Sequence, residues 1–129
     1  MKIVIVEDCQ IMLLSLKLRL ETLGYDIVGT APSKDLAIPL IIGAEPDIVL
    51  MDVELENSNG LDIIKTLKGK TDAKFIVLTM HKDESEFFSV VDSNTYAYCN
   101  KSIDIKQLDS VIKKVYDGSY WIDPVIEES

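Results

Sequence analysis

Short apolar runs alternate along this chain with longer segments in which apolar residues recur at helical spacing. The short runs are rich in β-branched residues, and such alternation is typical of βα units built around a parallel sheet. The pattern predicts five strands, at residues 3–6, 26–30, 48–51, 75–78 and 96–99. Because strand-helix-strand crossovers are right-handed, these units favour an α/β fold, a three-layer doubly wound five-stranded parallel sheet in the order 2-1-3-4-5.

Local signals place the helices between these strands. Two of them begin at sequences that resemble capping boxes, Asp83 with Glu86 and Asp104 with Gln107. Pro39 is expected to kink or delay the second helix, because it has no N–H to donate. The predicted helices are residues 10–23 with Ile11, Leu14 and Leu18 at helical spacing, a segment after Ser33, residues 60–68, a segment after Asp83, and a segment from Asp104 to near Gly118.

Acidic residues stand at the ends of two predicted strands. Glu7 and Asp8 follow the first strand, and Asp52 follows the third. Because parallel strands point the same way, these acids are expected to meet at the carboxyl edge of the sheet, where open α/β sheets bind their ligands. Carboxylates crowded together repel one another, so the arrangement favours a bound cation, and Mg²⁺ is the natural candidate.

Composition narrows the classes of function. A chain of 129 residues is expected to form one domain, here over residues 1–118, with residues 119–129 as a linker or tail. The net charge of -9 argues against direct nucleic-acid binding, so metal ions or proteins are the expected partners. Residues 36–44 form the longest apolar stretch, well short of the ~20 that a membrane helix needs, and no signal peptide is apparent. The expected location is therefore cytoplasmic.

Two more polar residues fall at the same predicted edge, and they change the metal site into a phosphoryl site. Thr79 ends the fourth strand and Lys101 follows the fifth. With these groups present, Asp52 is the candidate nucleophile for an aspartyl phosphate. Mg²⁺ would bridge Asp8, Asp52 and a phosphoryl oxygen, Lys101 would neutralise a second oxygen, and the Thr79 hydroxyl would bind a third.

The residues around these positions resemble the receiver domain of a bacterial-type two-component response regulator. The matching segments are IVIVEDCQ, DIVLMDVELENSNGLD, FIVLTMHKDE and YAYCNKS, each at the end of a predicted strand. The similarity extends from Lys2 to about Gly118, and the ending YDGSYWIDP is similar to receivers that precede a LuxR-type helix-turn-helix domain. That output domain is not present in these residues.

The resemblance implies a flavodoxin-like fold and a phosphorylation switch. Asp52 would accept a phosphoryl group from a histidine kinase or phosphotransfer protein, and homodimers would form on phosphorylation. The implied metal ligands are Asp8, Asp52, the backbone carbonyl of Glu54 and, through water, Glu7, with Mn²⁺ as an alternative to Mg²⁺. Thr79 and Tyr98 would relay the change to the surface of the fourth and fifth predicted helices, with Tyr96 as the alternative aromatic residue.

Three positions depart from the family pattern. Glu56 stands where a proline is usual, although Gly60 keeps its spacing. Ser102 replaces the proline after Lys101, and a cis bond without proline costs ~3 kcal/mol, so the conformation of the Lys101–Ser102 bond is left open. Met80 replaces a small residue after Thr79 and is expected to restrict access to the phosphoryl group. The prediction is a domain that catalyses its own phosphoryl transfer and a slow autodephosphorylation, and that is not a conventional enzyme.

Two other functions suit the same fold. One is a pseudo-receiver that binds proteins without phosphorylation, although every acidic and switch residue is retained. The other is a flavin mononucleotide protein, whose first loop would have to cradle a phosphate at a helix N-terminus. Glu7 and Asp8 present negative charge there instead, which disfavours the flavin protein.

Overall fold

The structure is a computed structural model that describes residues 1–55, 58–80 and 94–122. Its strands are β1 (Lys2–Val6), β2 (Asp26–Ala31), β3 (Ile48–Asp52), β4 (Glu54–Leu55), β5 (Ser58–Asn59), β6 (Lys74–Thr79), β7 (Thr95–Asn100) and β8 (Trp121–Ile122). The helices in these ranges are α1 (Gln10–Thr22), α2 (Lys34–Ala44), α3 (Gly60–Leu67) and α4 (Ile105–Tyr116). Glu56, the helix predicted after Asp83, and residues 123–129 of the predicted tail lie outside the described residues.

The central sheet has the predicted strand order. Its hydrogen-bonded neighbours run β2-β1-β3-β6-β7-β8, and every pair is parallel. Its first five members are the five predicted strands, so the order 2-1-3-4-5 is confirmed. The sheet has one strand more than the five predicted, because Trp121 and Ile122 pair with Ala97 and Tyr98. The first part of the predicted linker therefore lies on the sheet edge.

Side chains from both faces of the sheet are buried, which explains why its strands read as continuous apolar runs. One face packs against α2 and α3, and the other packs against α1 and α4. On β3, for example, Val49 and Met51 face the first pair of helices, while Ile48 and Leu50 face the second. This alternation follows from the two-residue period of a strand.

The apolar residues that predict helix α1 from the sequence are exposed to solvent in the structure. Ile11, Leu14 and Leu18 are 80%, 56% and 55% exposed. Leu20 is buried instead, and Leu16 packs against the core. The sequence thus predicts the helix correctly, but its most regular apolar stripe is an exposed surface.

The predicted helix ends agree with the structure in most places. Asp104 accepts a hydrogen bond from the Gln107 N–H at 2.8 Å, as a capping residue does. Gly24 follows α1 with a φ of 94°, in the left-handed region that favours glycine. Pro39 lies inside α2 without delaying its start at Lys34. Within the described residues, no helix is both long enough and apolar enough to cross a membrane.

A tyrosine–carboxylate hydrogen bond fastens the segment after α1 to α4. The Tyr25 hydroxyl donates to Asp109 Oδ1, and Lys113 Nζ lies 3.2 Å from Asp109 Oδ2. The Tyr25 hydrogen bond, helped by Lys113 and opposed by burial, lowers the pKa of the Asp109 carboxyl. Burial and the same hydrogen bond raise the pKa of Tyr25. This bond joins residues that are 84 positions apart in the chain.

Replacement of Tyr25 by Phe is expected to lower the free energy of unfolding by about 1 kcal/mol at neutral pH, the typical net value of one hydrogen bond. Because the pKa of Asp109 is lower in the folded than in the unfolded protein, its ionised carboxylate stabilises the fold at any pH above the unfolded-state pKa. This contribution is lost as the pH falls through the folded-state pKa. Because the pKa of Tyr25 is raised in the folded protein, its protonated hydroxyl stabilises the fold at any pH below the unfolded-state pKa of tyrosine. The deficit of Tyr25→Phe should therefore be constant between roughly pH 4 and pH 10 and shrink in stronger acid. Urea denaturation across pH measures it, with Tyr116→Phe as the control, and a deficit that grows in acid would contradict this assignment.

Candidate functional site

Four strand ends meet at the carboxyl edge of the sheet and carry the candidate site. Glu7 and Asp8 follow β1, Asp52 ends β3, Thr79 ends β6 and Lys101 follows β7. Oxygen atoms from Glu7, Asp8 and Asp52, one from each carboxylate, all lie within 4.8 Å of one another. The structure therefore brings together the three acids that the sequence singles out.

Lys101 forms ion pairs with two of these three acids. Its Nζ lies 3.0 Å from Glu7 Oε1 and 3.0 Å from Asp52 Oδ2. The side chains of Lys101, Glu7 and Asp52 are 10%, 6% and 1% exposed, so the ion pairs are largely shielded from water. At this depth, removal of one charge leaves its partners without compensation, which is costly.

The pKa directions reflect this crowding. Burial raises the pKa of the Glu7 carboxyl, and contact with the Asp52 carboxylate adds to the increase. The hydrogen bonds from Lys101 and from the Cys9 N–H act in the opposite direction without cancelling it. For Lys101, burial lowers the pKa, but the hydrogen bonds to Asp52 and Glu7 outweigh burial and raise it overall. Lys101 is thus held in its charged form.

Backbone groups hold the acids in place. The Cys9 N–H donates to Glu7 Oε2 at 3.2 Å, and the Glu54 N–H donates to Asp52 Oδ1 at 3.0 Å. The Lys101 N–H donates to the carbonyl oxygen of Thr79 at 2.7 Å, which ties the end of β7 to the end of β6. Both oxygens of Asp52 therefore have a protein donor, Oδ1 from backbone and Oδ2 from Lys101.

The donor set fits a hard divalent cation. Carboxylate oxygens are the ligands that Mg²⁺ prefers, and it is usually bound through one or two carboxylates together with phosphate oxygens and water. Asp8 is partly exposed, whereas Glu7 and Asp52 are buried. The cluster is thus open to solvent on the Asp8 side, where an ion could enter.

Comparison with known proteins identifies the family. The family model for the response regulator receiver domain matches residues 3–113. The chain belongs to this receiver-domain family. Its match covers all four strand ends of the site.

The receiver domain is similar in sequence to parts of two curated bacterial regulatory proteins. It is 30% identical over 126 residues to the transcriptional regulatory protein YdfI of Bacillus subtilis, covering 97% of this chain and 59% of that protein. It is 29% identical over 132 residues to the oxygen regulatory protein NreC of Staphylococcus carnosus, covering 100% of this chain and 61% of that protein. The chain thus spans about three fifths of the length of these curated relatives.

Solved structures show the same fold. A LuxR-family response regulator from Aurantimonas sp. SI85-9A1 superposes with a TM-score of 0.88 at 25% identity, covering 98% of this chain and 92% of that chain. RcsB, in a structure of two RcsB dimers bound to two parallel DNAs, superposes with a TM-score of 0.84 at 18% identity, covering 99% of this chain and 66% of that chain. The second likeness concerns the fold alone.

The two tyrosines of β7 have different surroundings in this receiver domain. The register of β6 and β7 shifts between Phe75 and Ile76, so that Phe75 pairs with Thr95 and Ile76 with Ala97. Tyr96 therefore has no paired residue on β6. Its ring stacks on that of Tyr120, with the ring centroids 4.5 Å apart. Tyr98 is 4% exposed and joins the core cluster on the α2 and α3 face.

The switch pair of the sequence hypothesis is Thr79 with one of these tyrosines. Val77 pairs with Tyr98, and both belong to the same core cluster. Thr79 lies two residues beyond Val77 on β6, and side chains two apart share a face of a strand. Thr79 is fully buried. The position of Tyr98, rather than that of Tyr96, suits a relay from Thr79, although the relay itself stays a prediction.

The turn after β7 is held by a residue that the sequence hypotheses did not single out. Asn100 Oδ1 accepts hydrogen bonds from the Ser102 N–H at 2.8 Å and from the Ser102 hydroxyl at 2.6 Å. The Lys101–Ser102 bond is trans. An asparagine two residues before a free N–H is the pattern of an Asx turn, and that signal is present in the sequence. Ser102 thus supplies a donor that the usual proline lacks, and it holds Lys101 in a tight turn.

Gly60 packs directly against the backbone of the candidate acceptor. A Cβ atom at position 60 would lie 2.3 Å from the Asp52 carbonyl oxygen and 2.9 Å from Met51 Cγ. The Gly60 N–H donates to the Val53 carbonyl oxygen at 2.9 Å, which fixes the start of α3 beside β3. Only glycine fits this approach, because the atom that a Cβ would meet is backbone.

Gly60→Ala is expected to lower the free energy of unfolding by about 2 kcal/mol, within the usual cost of overpacking a core. The matched control is Gly43→Ala, in α2, where a Cβ would meet nothing within 4 Å. That change should instead stabilise the protein by about 0.5 to 1 kcal/mol through helix propensity. Urea denaturation of the two variants tests this, and equal effects at both positions would contradict the close approach.

Proposed function

We propose that this receiver domain is a phosphorylation-dependent signalling switch in which Asp52 accepts the phosphoryl group. One observation carries the proposal: Asp52 is 1% exposed, lies 3.0 Å from Lys101 Nζ and shares a 4.8 Å cluster with Glu7 and Asp8. A carboxylate held beside a fixed cation, with further acids for a metal, is suited to phosphoryl transfer. That reaction depends mainly on alignment and charge neutralisation.

In the proposed transfer, a lone pair on an Asp52 oxygen forms the new bond to phosphorus. The bond between phosphorus and the donor atom breaks, and its electron pair leaves with the donor. The donor is the phosphohistidine of a sensor histidine kinase or phosphotransfer protein. Lys101 neutralises a phosphoryl oxygen, and the Thr79 hydroxyl donates a hydrogen bond to another.

The residues proposed to hold the metal are Asp8, Asp52 and the carbonyl oxygen of Glu54, with Glu7 acting through a water molecule. Bound Mg²⁺, or Mn²⁺ in its place, supplies positive charge against the negative charge that develops on the transferred group.

The test uses the purified chain and acetyl phosphate. With Mg²⁺, the intact mass should increase by one phosphoryl group, the gain should need the metal, and it should decay slowly once the donor is removed. Slow decay is expected because Met80, which follows Thr79, should restrict access to the phosphoryl group. A folded chain that gains no mass in either Mg²⁺ or Mn²⁺ would favour the pseudo-receiver, and a yellow purified protein would favour the flavin protein.

Phosphorylation is proposed to act through Thr79 and Tyr98 on the surface predicted for the fourth and fifth helices, of which the fifth, α4, lies within the described residues. Transcription is the proposed output, because YdfI is a transcriptional regulatory protein and is similar over 97% of this chain. The DNA contacts belong to an output domain, since the net charge of -9 on these residues disfavours a direct interaction with phosphates.

The proposed change of partners on phosphorylation is homodimer formation through α1. Leu14 and Leu18 are 56% and 55% exposed on one stripe of that helix, and contiguous exposed apolar surface is characteristic of protein interfaces. RcsB, which shares the fold, forms dimers.

Leu14→Asp is therefore expected to weaken the dimer at least about tenfold, as the loss of a central interface anchor does. Sedimentation velocity with and without beryllofluoride and Mg²⁺ measures the effect. Ile42→Asp is the matched control, because Ile42 is 44% exposed on α2, on the other face of the sheet. A dimer that survives Leu14→Asp but not Ile42→Asp would place the interface on α2.

A further inference from the structure

The side chain of Glu54 reaches across the mouth of the site. Its Oε1 accepts a hydrogen bond from the Met80 N–H at 3.1 Å, while its own N–H donates to Asp52 Oδ1 at 3.0 Å. One residue thus links the candidate acceptor at the end of β3 with the first residue after β6. The Met80 N–H is therefore a donor near Asp52, since Glu54 contacts both residues, and it already binds a carboxylate.

The backbone under Glu54 is held while its carboxylate stays accessible. Glu54 pairs with Asn59 in the antiparallel hairpin of β4 and β5, and neighbouring Leu55 is buried. Glu54 itself is exposed. Its side chain can therefore leave the Met80 N–H by rotation, without unfolding the hairpin and without exposing apolar surface.

We propose that the Glu54 carboxylate is a latch that competes with the incoming phosphoryl group for the Met80 N–H and so slows the phosphorylation of Asp52. The inference rests on the proposed function. A phosphoryl group on Asp52 brings negative charge to a cluster that already contains Glu7, Asp8 and Asp52 and, among the described residues, pairs with Lys101. The Glu54 carboxylate adds one more like charge at the entrance, and it also occupies a donor that an anionic oxygen would use.

Two substitutions separate the charge from the hydrogen bond. Glu54→Gln keeps an acceptor oxygen but removes the charge, whereas Glu54→Ala removes both. Neither change affects the backbone carbonyl that is proposed as a metal ligand. The control is Glu21→Gln, which removes the same charge from an exposed position in the last turns of α1, at the opposite end of that helix from Asp8.

The rate of Mg²⁺-dependent mass gain with acetyl phosphate is the first readout. Glu54→Ala should be phosphorylated about two- to tenfold faster than the wild-type chain, the factor that corresponds to one competing hydrogen bond. Glu54→Gln should fall between the two, and Glu21→Gln should match the wild type. A rate for Glu54→Ala at or below the wild-type rate would overturn the latch, although phosphorylation of Asp52 itself would stand.

Amide hydrogen exchange at Met80 is the second readout, and it does not depend on phosphorylation. The Met80 N–H should exchange faster in unphosphorylated Glu54→Ala than in the wild-type chain and in Glu21→Gln. Unchanged exchange would show that the carboxylate does not hold this donor, and would also overturn the latch. If the folded wild-type chain gains no mass, the proposed function fails and the latch fails with it.

Discussion

Asp52→Asn is expected to abolish the mass gain from acetyl phosphate completely. An amide in place of the carboxylate has no anionic oxygen to attack phosphorus, whereas its shape and its acceptor for the Glu54 N–H are kept. Lys101 retains its ion pair with Glu7 Oε1 at 3.0 Å, so the variant should fold. The loss should therefore be one of chemistry, and circular dichroism and thermal unfolding can verify that the fold is intact.

The matched control is Asp62→Asn. Asp62 lies in the first turn of α3 and is exposed, so the same substitution there should leave the mass gain unchanged. Peptide mapping of the wild-type chain should place the base-labile modification on the segment that contains Asp52. A phosphoryl group that persists in Asp52→Asn would show that another residue accepts it.

Lys101→Met should destabilise the metal-free protein by about 3 kcal/mol, the usual cost of removing one partner from a buried ion pair. Glu7 and Asp52 would keep their burial, at 6% and 1% side-chain exposure, but lose the ammonium group 3.0 Å from each of them. Added Mg²⁺ should then stabilise the variant more than it stabilises the wild-type chain, because the ion replaces the missing positive charge. Thermal unfolding with and without Mg²⁺ measures both effects.

Lys113→Met is the control for this prediction. Lys113 forms the ion pair with Asp109 at 3.2 Å, but its side chain is 66% exposed. Surface pairs contribute at most about 1 kcal/mol, so the change should be small and insensitive to Mg²⁺. If Lys101→Met were as stable as Lys113→Met, the cluster would be far better solvated than its burial indicates.

The fold and the meeting of the three acidic residues were predictable from the sequence, because both depend on periodicity and on strand ends. Parallel strands buried on both faces appear in the sequence as continuous apolar runs. Their carboxyl ends lie at the same edge of the sheet, independently of the conformation of the loops. The convergence of Glu7, Asp8 and Asp52 follows from that rule alone.

Details that depend on local irregularity were not predictable in the same way. The side chain of Tyr96 leaves the Tyr98 face because of a register shift in β7, which the alternation of residues does not reveal. The hydrogen bond from the Met80 N–H to Glu54 depends on the pairing of β4 with β5. These strands have two residues each, and such short antiparallel pairs leave little signal in the sequence. The exposed stripe of α1 was missed because periodicity places apolar residues on one face without saying which face meets the core.

The short strand β8 attaches the segment after α4 to β7 beside Tyr98, the residue proposed to act in the switch. Ile122 pairs with Tyr98, and Trp121 pairs with Ala97 in the same parallel register. The ring of Tyr120, just before β8, also stacks on Tyr96. A displacement of the β7 backbone at Tyr98 would therefore be transmitted to Ile122 through this strand pairing.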